Sequence, residues 1–331
     1  MNVAVVILNW NGIKLLEQFL PSVIEHSKNE AKIYVVDNAS TDGSVSFIDS
    51  SFPEITIIQN TENGGYAKGY NDGLKNLSED IFILLNSDVE VTKSWINPII
   101  SEFENNSSLA VVQPKILDYN SKDYFEYAGA AGGFIDRYGY PFCRGRLFNS
   151  VEKDIGQYND TASIFWASGA CFCIRKDIFI KMEGFDETFF AHQEEIDLCW
   201  RIHNEGFDVS YTGASTVYHV GGGTLKASNP KKTFFNFRNS LLCLVKNTRG
   251  FTSFKLVLTR LFLDGLSGFY FLFKGQFKHI LAIIHAHFSF YFLLRSTFRK
   301  RKEIKQQTKY YKTRSIVWRY FINRKRTFKE L

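Results

Sequence analysis

The segment VAVVILNWNG (residues 3–12) joins an uninterrupted apolar run to a short polar loop, and this arrangement recurs three times before residue 90. The later apolar runs are KIYVVD (32–37), ITIIQN (55–60) and DIFILLN (80–86). Continuous apolar runs of this length are typical of strands buried on both faces. Helix-length segments follow the runs, near 13–27, 43–51, 65–77 and 93–104. The alternation predicts an α/β fold with a parallel sheet and right-handed crossovers.

Polar loops follow all four runs, at the expected carboxyl ends of the strands. They are NWNG (9–12), DNASTDGS (37–44), NTENGGYAKGYNDG (60–73) and NSDV (86–89). Any one loop would also suit an ordinary turn or helix cap. Because parallel sheets bind ligands beyond these strand ends, four such loops on one edge predict a crevice for a polar ligand. The sequence has no GxxxxGK[ST] loop and no GxGxxG after the first run, which argues against ATPases and dinucleotide dehydrogenases.

Length, cysteine content and charge narrow the class of protein further. The 331 residues suffice for one large domain with an appendage or for two domains. Five cysteines without a CxxC pair favour reduced thiols in the cytosol over disulfides or a zinc site. The amino-terminal apolar run is too short for a signal peptide. Residues 295–331 contain fourteen Lys or Arg and two Glu, a balance of +12, so residues 1–294 carry −6 of the net +6.

From residue 229 onward the chain is rich in apolar and aromatic residues. FFNFRNSLLCLVKN (234–247) predicts an amphipathic helix, and the longest later stretch without Lys, Arg, Asp or Glu is 279–294. That stretch is shorter than the roughly 20 apolar residues that cross a bilayer. An aromatic-rich helix before a polybasic segment favours attachment to an anionic membrane surface. The alternative is a helical subdomain packed on the rest of the chain or in a homodimer, and nucleic-acid binding is not expected.

Three carboxylates crowd the start of a predicted helix in FFAHQEEIDLCWR (189–201): Glu194, Glu195 and Asp197. One or two acids in a first turn stabilise a helix, by about 0.3 to 1 kcal/mol each. Three acids within four residues repel one another unless a cation or a proton lies among them, which is one way that a site raises the pKa of a base. This segment alone is compatible with a structural or a catalytic role.

Together the motifs resemble the family 2 glycosyltransferases of the GT-A fold, in particular their bacterial rhamnosyltransferase-like branch. The matching stretches follow the family's order over residues 1 to about 225: VVILNWNG, VVDNASTDGS, NGGYAKGYNDG, LLNSDV, ASGACFCIRK, GFDETFFAHQEEIDLCWR and VYHVGGG. The resemblance implies a catalytic domain over 1–228 with a Rossmann-like, mostly parallel sheet flanked by helices. Its nucleotide-binding half would be 1–115 and its acceptor and catalytic half 116–228. Residues 229–331 would form an amphipathic, membrane-associating helical extension with a basic tail.

The resemblance also implies where a nucleotide sugar binds. Asp37 would accept a hydrogen bond from the ring N–H of a pyrimidine, so a UDP- or dTDP-sugar is the expected donor. Asn9, Asn63 and Asn71 would line the ribose and diphosphate. The other implied contacts are Asn38, Ser40, Asp42, Gly65, Asn86, Ser87 and Asp88.

A divalent cation, Mg²⁺ or Mn²⁺, is implied at the diphosphate. Asp88 matches the last acid of the family's DxD element, whereas the first acid is replaced here by Asn86. A cation on phosphate needs only one or two protein carboxylates, so we expect weak metal binding without nucleotide. His219 matches the family's imidazole at the metal, and a mixed His and Asp shell suits Mn²⁺ at least as well as Mg²⁺. The alternative for His219 is a buried histidine bonded to the backbone.

The implied reaction is sugar transfer with inversion, in which a carboxylate accepts the proton of the acceptor hydroxyl. Glu195 falls at the family's catalytic base, where Asp is usual, and Glu194 would share its hydrogen bonds or touch the acceptor. The two roles could be exchanged. Asp197 is expected to be structural, paired with Arg201 four residues later.

The expected enzyme is cytoplasmic and peripheral on the inner face of the cell membrane. It would transfer a sugar, with rhamnose from dTDP-rhamnose expected from the branch resemblance, to a cell-surface glycan or a lipid-linked acceptor. One alternative is a non-catalytic scaffold that binds sugar nucleotides. A sugar-nucleotide pyrophosphorylase is another, but it would need a glycine-rich loop with basic residues where NWNG stands.

Overall fold

The computed structural model describes residues 1–221, 229–302 and 309–331. Its first part alternates strands and helices as the sequence predicts: β1 (Val3–Asn9), α1 (Ile13–Ser27), β2 (Lys32–Asp37), α2 (Ser44–Ser51), β3 (Thr56–Gln59), α3 (Gly65–Leu74), β4 (Ile81–Asn86), β5 (Val89–Val91) and α4 (Ile96–Asn105). The next part contains β6 (Leu109–Asp118), β7 (Gly133–Ile135), β8 (Pro141–Cys143), β9 (Arg146–Leu147), β10 (Ser150–Val151), β11 (Thr161–Ser163), β12 (Cys171–Arg175), α5 (Lys176–Lys181), α6 (Glu194–Asn204) and β13 (Asp208–His219). The chain then forms α7 (Pro230–Asn247), α8 (Gly250–Phe273) and α9 (Phe277–Arg299).

The main sheet has the strand order β11-β13-β6-β12-β4-β1-β2-β3, and β5 pairs with β13. Strands β3, β2, β1 and β4 are parallel, as predicted for this part of the chain. The second half makes the sheet mixed, because β12 runs antiparallel to both β4 and β6. The chain leaves β6 at the carboxyl edge and re-enters in β12 from that same edge, without a crossover helix. The sheet therefore carries its polar strand ends and the long 119–170 segment at one edge.

That segment is more regular than its sequence suggests. Residues 116–160 read as loops, whereas the structure extends β6 to Asp118 and forms a small antiparallel sheet in the order β10-β9-β8-β7. Strands of two or three residues are too short to show an alternating pattern. A small apolar cluster of Phe142, Leu147, Ile316 and Tyr320 stabilises this sheet instead, and two of these residues come from the end of the chain.

The described part of the basic tail packs on the protein. Thr313 forms a β-bridge with Asp136, whose carboxylate accepts a hydrogen bond from the backbone N–H of Ile316 at 3.0 Å. The ring of Phe328 lies 5.0 Å from that of Phe134. Residues 309–331 thus cover the small sheet. This packing of the basic tail was not predicted from the sequence. Residues 303–308 of this tail, and the last two glycines of VYHVGGG (217–223), lie outside the described residues.

A buried ion-pair network joins α6 to α7. The side chain of Asp197 is fully buried, and its Oδ2 lies 2.8 Å from Nε of Arg201 and 2.8 Å from Nζ of Lys246. The amide of Asn247 donates to its Oδ1 at 2.9 Å. Burial opposes ionisation of Asp197, but the charges of Lys246 and Arg201 outweigh it and lower its pKa. The predicted structural pair of Asp197 and Arg201 is confirmed, and Lys246 extends it to Asp186 at 2.7 Å.

We expect Asp197→Asn to lower the free energy of unfolding by about 3–5 kcal/mol, because it leaves Lys246 and Arg201 buried with one carboxylate fewer. Urea unfolding at pH 7 measures this loss. The matched control is Asp72→Asn, since Asp72 pairs with Lys68 and Lys75 nearer the surface. That substitution should change stability by at most about 1 kcal/mol. Equal losses of unfolding free energy in the two variants would contradict a larger contribution of Asp197 to stability.

Candidate functional site

The carboxyl ends of β1 and β2 form the first part of the crevice. Asn9 pairs with Asp37 in the sheet register, and its Nδ2 donates to Oδ1 of Asp37 at 3.0 Å and to Oγ of Ser40 at 3.2 Å. The backbone N–H of Ser40 donates to the other carboxylate oxygen at 2.8 Å. Oδ1 of Asn9 is buried and has no hydrogen-bond partner among the described residues. The crevice therefore contains a free acceptor beside the carboxylate expected to bind the base.

Several predicted ligand contacts hold the loops of the crevice in place. The carboxylate of Asp42 accepts hydrogen bonds from the backbone N–H groups of Ile13 at 2.9 Å and Ser44 at 3.1 Å, so it joins the starts of α1 and α2. The amide of Asn38 donates to the carbonyl of Gly65 at 3.0 Å. Oδ1 of Asn63 accepts from the backbone N–H of Gly65, also at 3.0 Å. These three side chains therefore hold the backbone of the loops that line the crevice.

The amide of Asn71, which the resemblance implies at the diphosphate, is bonded within the protein. Its Nδ2 donates to the carbonyl of Phe185 at 2.9 Å, and its Oδ1 accepts from the N–H of the same residue at 2.9 Å. Both ends of the amide are thus engaged with the loop that follows α5. We assign Asn71 to holding this loop.

Gly65 brings α3 against the segment that precedes α6. Its φ is +75°, and a Cβ atom there would lie 2.3 Å from the carbonyl oxygen of Phe190. A side chain is excluded by both conformation and space. The next N–H, that of Tyr66, donates to the same carbonyl at 3.2 Å. The start of α3 is therefore seated next to the acidic pair of α6.

Asn86, Asp88 and His219 meet at the end of β4. The antiparallel pairing of β5 with β13 places His219 opposite Val89, the residue that follows Asp88. Nε2 of His219 lies 3.1 Å from Oδ1 of Asp88 and 3.5 Å from Nδ2 of Asn86. Asp88 is buried, whereas Asn86 and Ser87 are half-buried at the crevice. The contacts of this imidazole are with side chains, so the alternative of a histidine bonded only to the backbone does not hold.

Glu126 completes this group and was not singled out from the sequence. It is 3% exposed, and its Oε1 lies 3.5 Å from Nδ1 of His219. Its other oxygen accepts from the backbone N–H of Ala128 at 2.5 Å. One feature of the sequence could have identified it: Glu126 is the one charged residue in the stretch 124–135. A carboxylate behind the second nitrogen is the usual partner of a metal-binding histidine.

The electrostatics of this group favour a cation. Burial opposes protonation of His219, but the carboxylates of Asp88 and Glu126 outweigh burial and raise its pKa to about 10. Burial likewise opposes ionisation of Asp88, while the imidazolium lowers its pKa. Ligands about 2.1 Å from a metal lie about 3 Å apart when adjacent, and the observed 3.1 Å between Nε2 and Oδ1 fits this spacing. The two carboxylates thus stabilise a positive charge at His219.

Asp88 and His219 alone would make an incomplete metal site. In residues 1–221, 229–302 and 309–331, no cluster of three or more His, Cys, Asp or Glu side chains has the geometry of a metal site. A cation at this position would need further oxygen ligands, which the phosphates of a nucleotide and water can supply. This fits the expectation of weak metal binding without nucleotide.

The acidic pair at the start of α6 follows a strained turn. His192 and Gln193 have φ values of +68° and +75°. Glu194 is 5% exposed and Glu195 is half-buried, and Oε2 of each is buried without a hydrogen-bond partner in the described chain. Burial raises the pKa of Glu195 to about 7 and that of Glu194 well above its usual value, with the charge of Glu195 adding to the latter. The repulsion expected from the sequence is therefore present, and no cation of residues 1–221, 229–302 or 309–331 pairs with either glutamate.

Two side chains connect the acidic pair electrostatically with the end of β4 and with Glu126. The hydroxyl of Tyr66 donates to the carbonyl of Gly169 at 3.1 Å, and the next carbonyl, that of Ala170, accepts from the backbone N–H of Asn86 at 3.0 Å. Burial raises the pKa of Tyr66, and the charges of Glu195 and Glu194 contribute. Burial also raises the pKa of Cys143 to about 11, with contributions from both Glu126 and Glu195. Tyr66 is therefore bonded beside the end of β4 and is affected by the charges of the acidic pair.

Comparison with known proteins agrees with this arrangement. Residues 4–182, more than half of the chain, match the model of "Glycosyl transferase family 2". The chain is 23% identical over 218 residues to the N-acetylglucosaminyl-diphospho-decaprenol L-rhamnosyltransferase of Mycobacterium tuberculosis (strain CDC 1551 / Oshkosh), covering 62% of this chain and 71% of that one. It is 21% identical over 249 residues to the low-salt glycan biosynthesis hexosyltransferase Agl10 of Haloferax volcanii, covering 73% and 75%.

A solved structure has the same fold. It is that of the mannosyltransferase PcManGT from Pyrobaculum calidifontis in complex with GDP-Man and Mn²⁺, with a TM-score of 0.52 and 14% identity over 90% of this chain and 79% of that one. The expected GT-A fold is thereby confirmed. Fold, strand-end crevice and family model agree, and the chain belongs to glycosyl transferase family 2.

Proposed function

We propose that this protein transfers a sugar, with inversion, from a pyrimidine nucleoside diphosphate to an acceptor hydroxyl, and that the transfer depends on a divalent cation. The observation that carries the proposal is the half-buried carboxylate of Glu195, whose Oε2 has no hydrogen-bond partner among the described residues, in a chain where Asp88 and His219 lie 3.1 Å apart beyond β4. A scaffold that only binds sugar nucleotides would have no use for two repelling buried acids. The NWNG loop contains no basic residue, which argues against a pyrophosphorylase.

Glu195 suits the role of the base. A pKa of about 7 means that a substantial fraction is ionised at neutral pH while the carboxylate remains a good proton acceptor. In the transfer, the acceptor oxygen forms a bond to the anomeric carbon and gives its proton to Glu195. The bond from that carbon to the diphosphate oxygen breaks, and the electron pair leaves with the diphosphate. Attack from the face opposite the leaving group inverts the anomeric configuration.

Glu194 is a weaker candidate for the base because it is more deeply buried. Burial, with the charge of Glu195 adding to it, raises its pKa and disfavours its ionised form. Glu195 is the more accessible of the two carboxyl groups. We therefore assign the base to Glu195 and assign Glu194 to setting the polarity around it.

Asp88 and His219 would hold Mg²⁺ or Mn²⁺ at the diphosphate. The cation would neutralise charge that develops on the leaving group. Glu126 keeps the imidazole oriented through Nδ1, and Asn86 offers an amide beside it. The Mn²⁺ bound with GDP-Man in the solved PcManGT structure supports a cation in this fold.

The donor and acceptor follow from the crevice and from the relatives. Asp37, with the free Oδ1 of Asn9 beside it, would bind the pyrimidine ring and the ribose, as the family resemblance implies. The mycobacterial relative, named as a rhamnosyltransferase acting on a diphospho-decaprenol, supports dTDP-rhamnose as donor and a lipid-linked or cell-surface glycan acceptor. Five free, buried cysteines suit a cytoplasmic enzyme at the inner face of the membrane.

We expect Glu195→Gln to lower kcat for transfer by about 10² to 10⁴, because general base catalysis contributes that much. Titration calorimetry should find the affinity for nucleotide nearly unchanged, since the base does not contact the diphosphate. Glu183→Gln is the matched control, because Glu183 forms only a surface ion pair with Lys302. A fully active Glu195→Gln variant together with an inactive Glu194→Gln variant would move the base to Glu194.

The acidic pair also predicts a pH-dependent stability. Because burial raises the pKa of both glutamates above the ordinary value of 4.5, the folded protein binds more protons than the unfolded chain between about pH 4.5 and 7. Its free energy of unfolding therefore falls as the pH rises through this range. Glu195→Gln should be more stable than the wild type at pH 8, by on the order of 1–3 kcal/mol, with little gain at pH 4.5.

In the control for this measurement, the stability should change in the opposite direction. Glu79 is 3% exposed and has a lowered pKa, because hydrogen bonds from the backbone, Lys32 and Tyr34 outweigh its burial. Glu79→Gln should lose stability at pH 8. Urea unfolding at both pH values tests the pair of variants, and a Glu195→Gln variant less stable than the wild type at pH 8 would overturn the account of the acidic pair.

Metal dependence gives a further test. Donor hydrolysis should be strong with Mn²⁺ and nearly absent in EDTA, and equal rates would remove the cation from the scheme.

Glu126→Gln should raise the Mn²⁺ concentration for half-maximal hydrolysis by about 10- to 100-fold, because it loosens the orientation of His219. Glu90→Gln, on β5 and paired with Lys122 at the surface, is the matched control and should leave that concentration unchanged.

A further inference from the structure

Helices α8 and α9 expose an apolar surface that the catalytic scheme does not use. Of the 27 large apolar side chains exposed in the described chain, sixteen lie on these two helices. They are Phe251, Phe254, Leu258, Phe262, Leu266, Phe269, Tyr270, Leu272, Phe273, Phe277, Leu281, Ile284, Phe288, Tyr291, Phe292 and Phe298, and we call them the hairpin face. A contiguous exposed apolar surface of this extent marks an interaction site.

The spacing of these residues places them on one side of each helix. On α8 they recur every three or four positions from Phe251 to Phe273, and on α9 from Phe277 to Phe292. The opposite sides are buried against the protein, through Leu256 on α8 and Phe290 on α9 among others. Each helix thus packs on the protein with one side and presents apolar side chains outward with the other.

Contacts at the middle of α8 indicate that the hairpin does not cross a bilayer. Both helices are long and apolar enough to span one. However, the guanidinium of Arg260, at the centre of α8, donates to Oγ of Ser240 at 2.8 Å and to the carbonyl of Tyr138 at 2.9 Å. Asp264 accepts from the hydroxyl of Tyr140 at 3.1 Å. A spanning α8 would break these contacts and place an ion pair in hydrocarbon, which is unfavourable.

The charges around the hairpin face favour anionic lipid. Exposed cations lie along both helices, at Lys255, Lys274, Lys278, Arg295 and Arg299. The acid within α8 and α9 is Asp264, which is fully buried. Lys and Arg side chains of this kind extend to lipid headgroups while their stems cover apolar surface. A second copy of the chain would instead oppose like charges, so a bilayer fits this surface better.

Contacts through α7 link the hairpin to the segment that precedes the acidic pair. Nδ1 of His279, near the start of α9, lies 2.7 Å from Oγ1 of Thr233 near the start of α7. Two residues on, the ring of Phe235 stacks on that of Phe190 at 5.9 Å. Phe190 is the residue whose carbonyl holds the start of α3, four positions before Glu194. The end of the hairpin that includes Phe273, which is 88% exposed, is thus connected through α7 to this segment.

We infer that α8 and α9 lie in the plane of an anionic bilayer with the hairpin face at the boundary between headgroups and acyl chains, and that this contact holds the acidic pair at headgroup level. A lipid-linked acceptor presents its sugar at that level. The assignment of the acceptor rests on the proposed function, whereas the bilayer contact stands on the contacts and charges of the two helices.

Vesicle flotation tests the contact. The wild type should float with vesicles of phosphatidylcholine containing 30% phosphatidylglycerol, and less with phosphatidylcholine alone. Phe273→Asp combined with Phe292→Asp should lower the bound fraction at least tenfold, because both side chains are nearly 90% exposed and no fold contact is lost. Ile155→Asp is the matched control, since Ile155 is 79% exposed on the catalytic part. It should float like the wild type.

Labelling tests whether the hairpin lies in the plane. Single Thr252→Cys and Gln276→Cys variants place an exposed thiol at either end of α8, and the five native cysteines are buried. With protein added outside sealed vesicles, an impermeant maleimide should label both thiols equally. A spanning α8 would protect one thiol until detergent is added.

The emission of an environment-sensitive fluorophore on Lys231→Cys should shift to shorter wavelength when the protein binds the vesicles. The emission of the same label on Ile155→Cys should not shift.

Three results would overturn the inference. They are a wild type that does not float with anionic vesicles, a double Asp variant that floats normally, and protection of one end of α8. A dimer in sedimentation that the double Asp variant dissolves, without vesicle binding, would assign the face to a second copy and would also overturn it. Donor hydrolysis by the soluble double variant should equal that of the wild type. That assay separates the two proposals, because absent hydrolysis in every variant would count against the proposed function alone.

Discussion

The buried ion pairs of Asp197 are the constraint on which the catalytic part depends. Three acids lie in the first turn of α6, and they differ in whether cations neutralise them. Arg201, Lys246 and Asn247 satisfy Asp197 completely, whereas Glu194 and Glu195 receive no cation from the described chain. The nearby cations are committed to Asp197, so burial and mutual repulsion raise the pKa of the other two carboxyl groups. The first turn of one helix thus contains both a carboxylate neutralised by ion pairs and two carboxyl groups with raised pKa values.

The same network connects the catalytic helix to the carboxyl-terminal helices. Lys246 of α7 bridges Asp197 and Asp186, and Lys300, which follows α9, binds Asp186 at 2.6 Å. The end of α9, one of the helices that carry the hairpin face, is therefore attached to the element that carries the acidic pair. Such attachment would restrict how the crevice is oriented relative to a surface that the hairpin binds. In the proposed scheme, membrane contact and acceptor binding would depend on the same ion pairs of α6, α7 and Lys300.

Much of the first half could be predicted because its signals are local. The apolar runs identified β1 to β4 to within two residues, and the polar loops identified the edge where Asn9, Asp37 and Asp88 lie. The family motifs brought His219 to the same place, and the structure puts it 3.1 Å from Asp88. Glu126 was missed because the β6–β7 connection that carries it has no periodicity. The small sheet of β7 to β10 was missed because its strands are too short and depend on packing by the end of the chain.

The sequence by itself determined the order of strands and helices in the first half, the edge of the sheet that is polar, the crowding of acids at residue 194 and the pairing of Asp197 with Arg201. Periodicity, strand-end chemistry and helical spacing are properties of neighbouring residues, so they can be recognised without a fold. Only the tertiary structure added Lys246 to Asp197, because the two residues are 49 positions apart. It also decided that Glu126 supports His219 and that the apolar sides of α8 and α9 face outward. Burial and ion pairing between distant segments exist only once those segments have packed together.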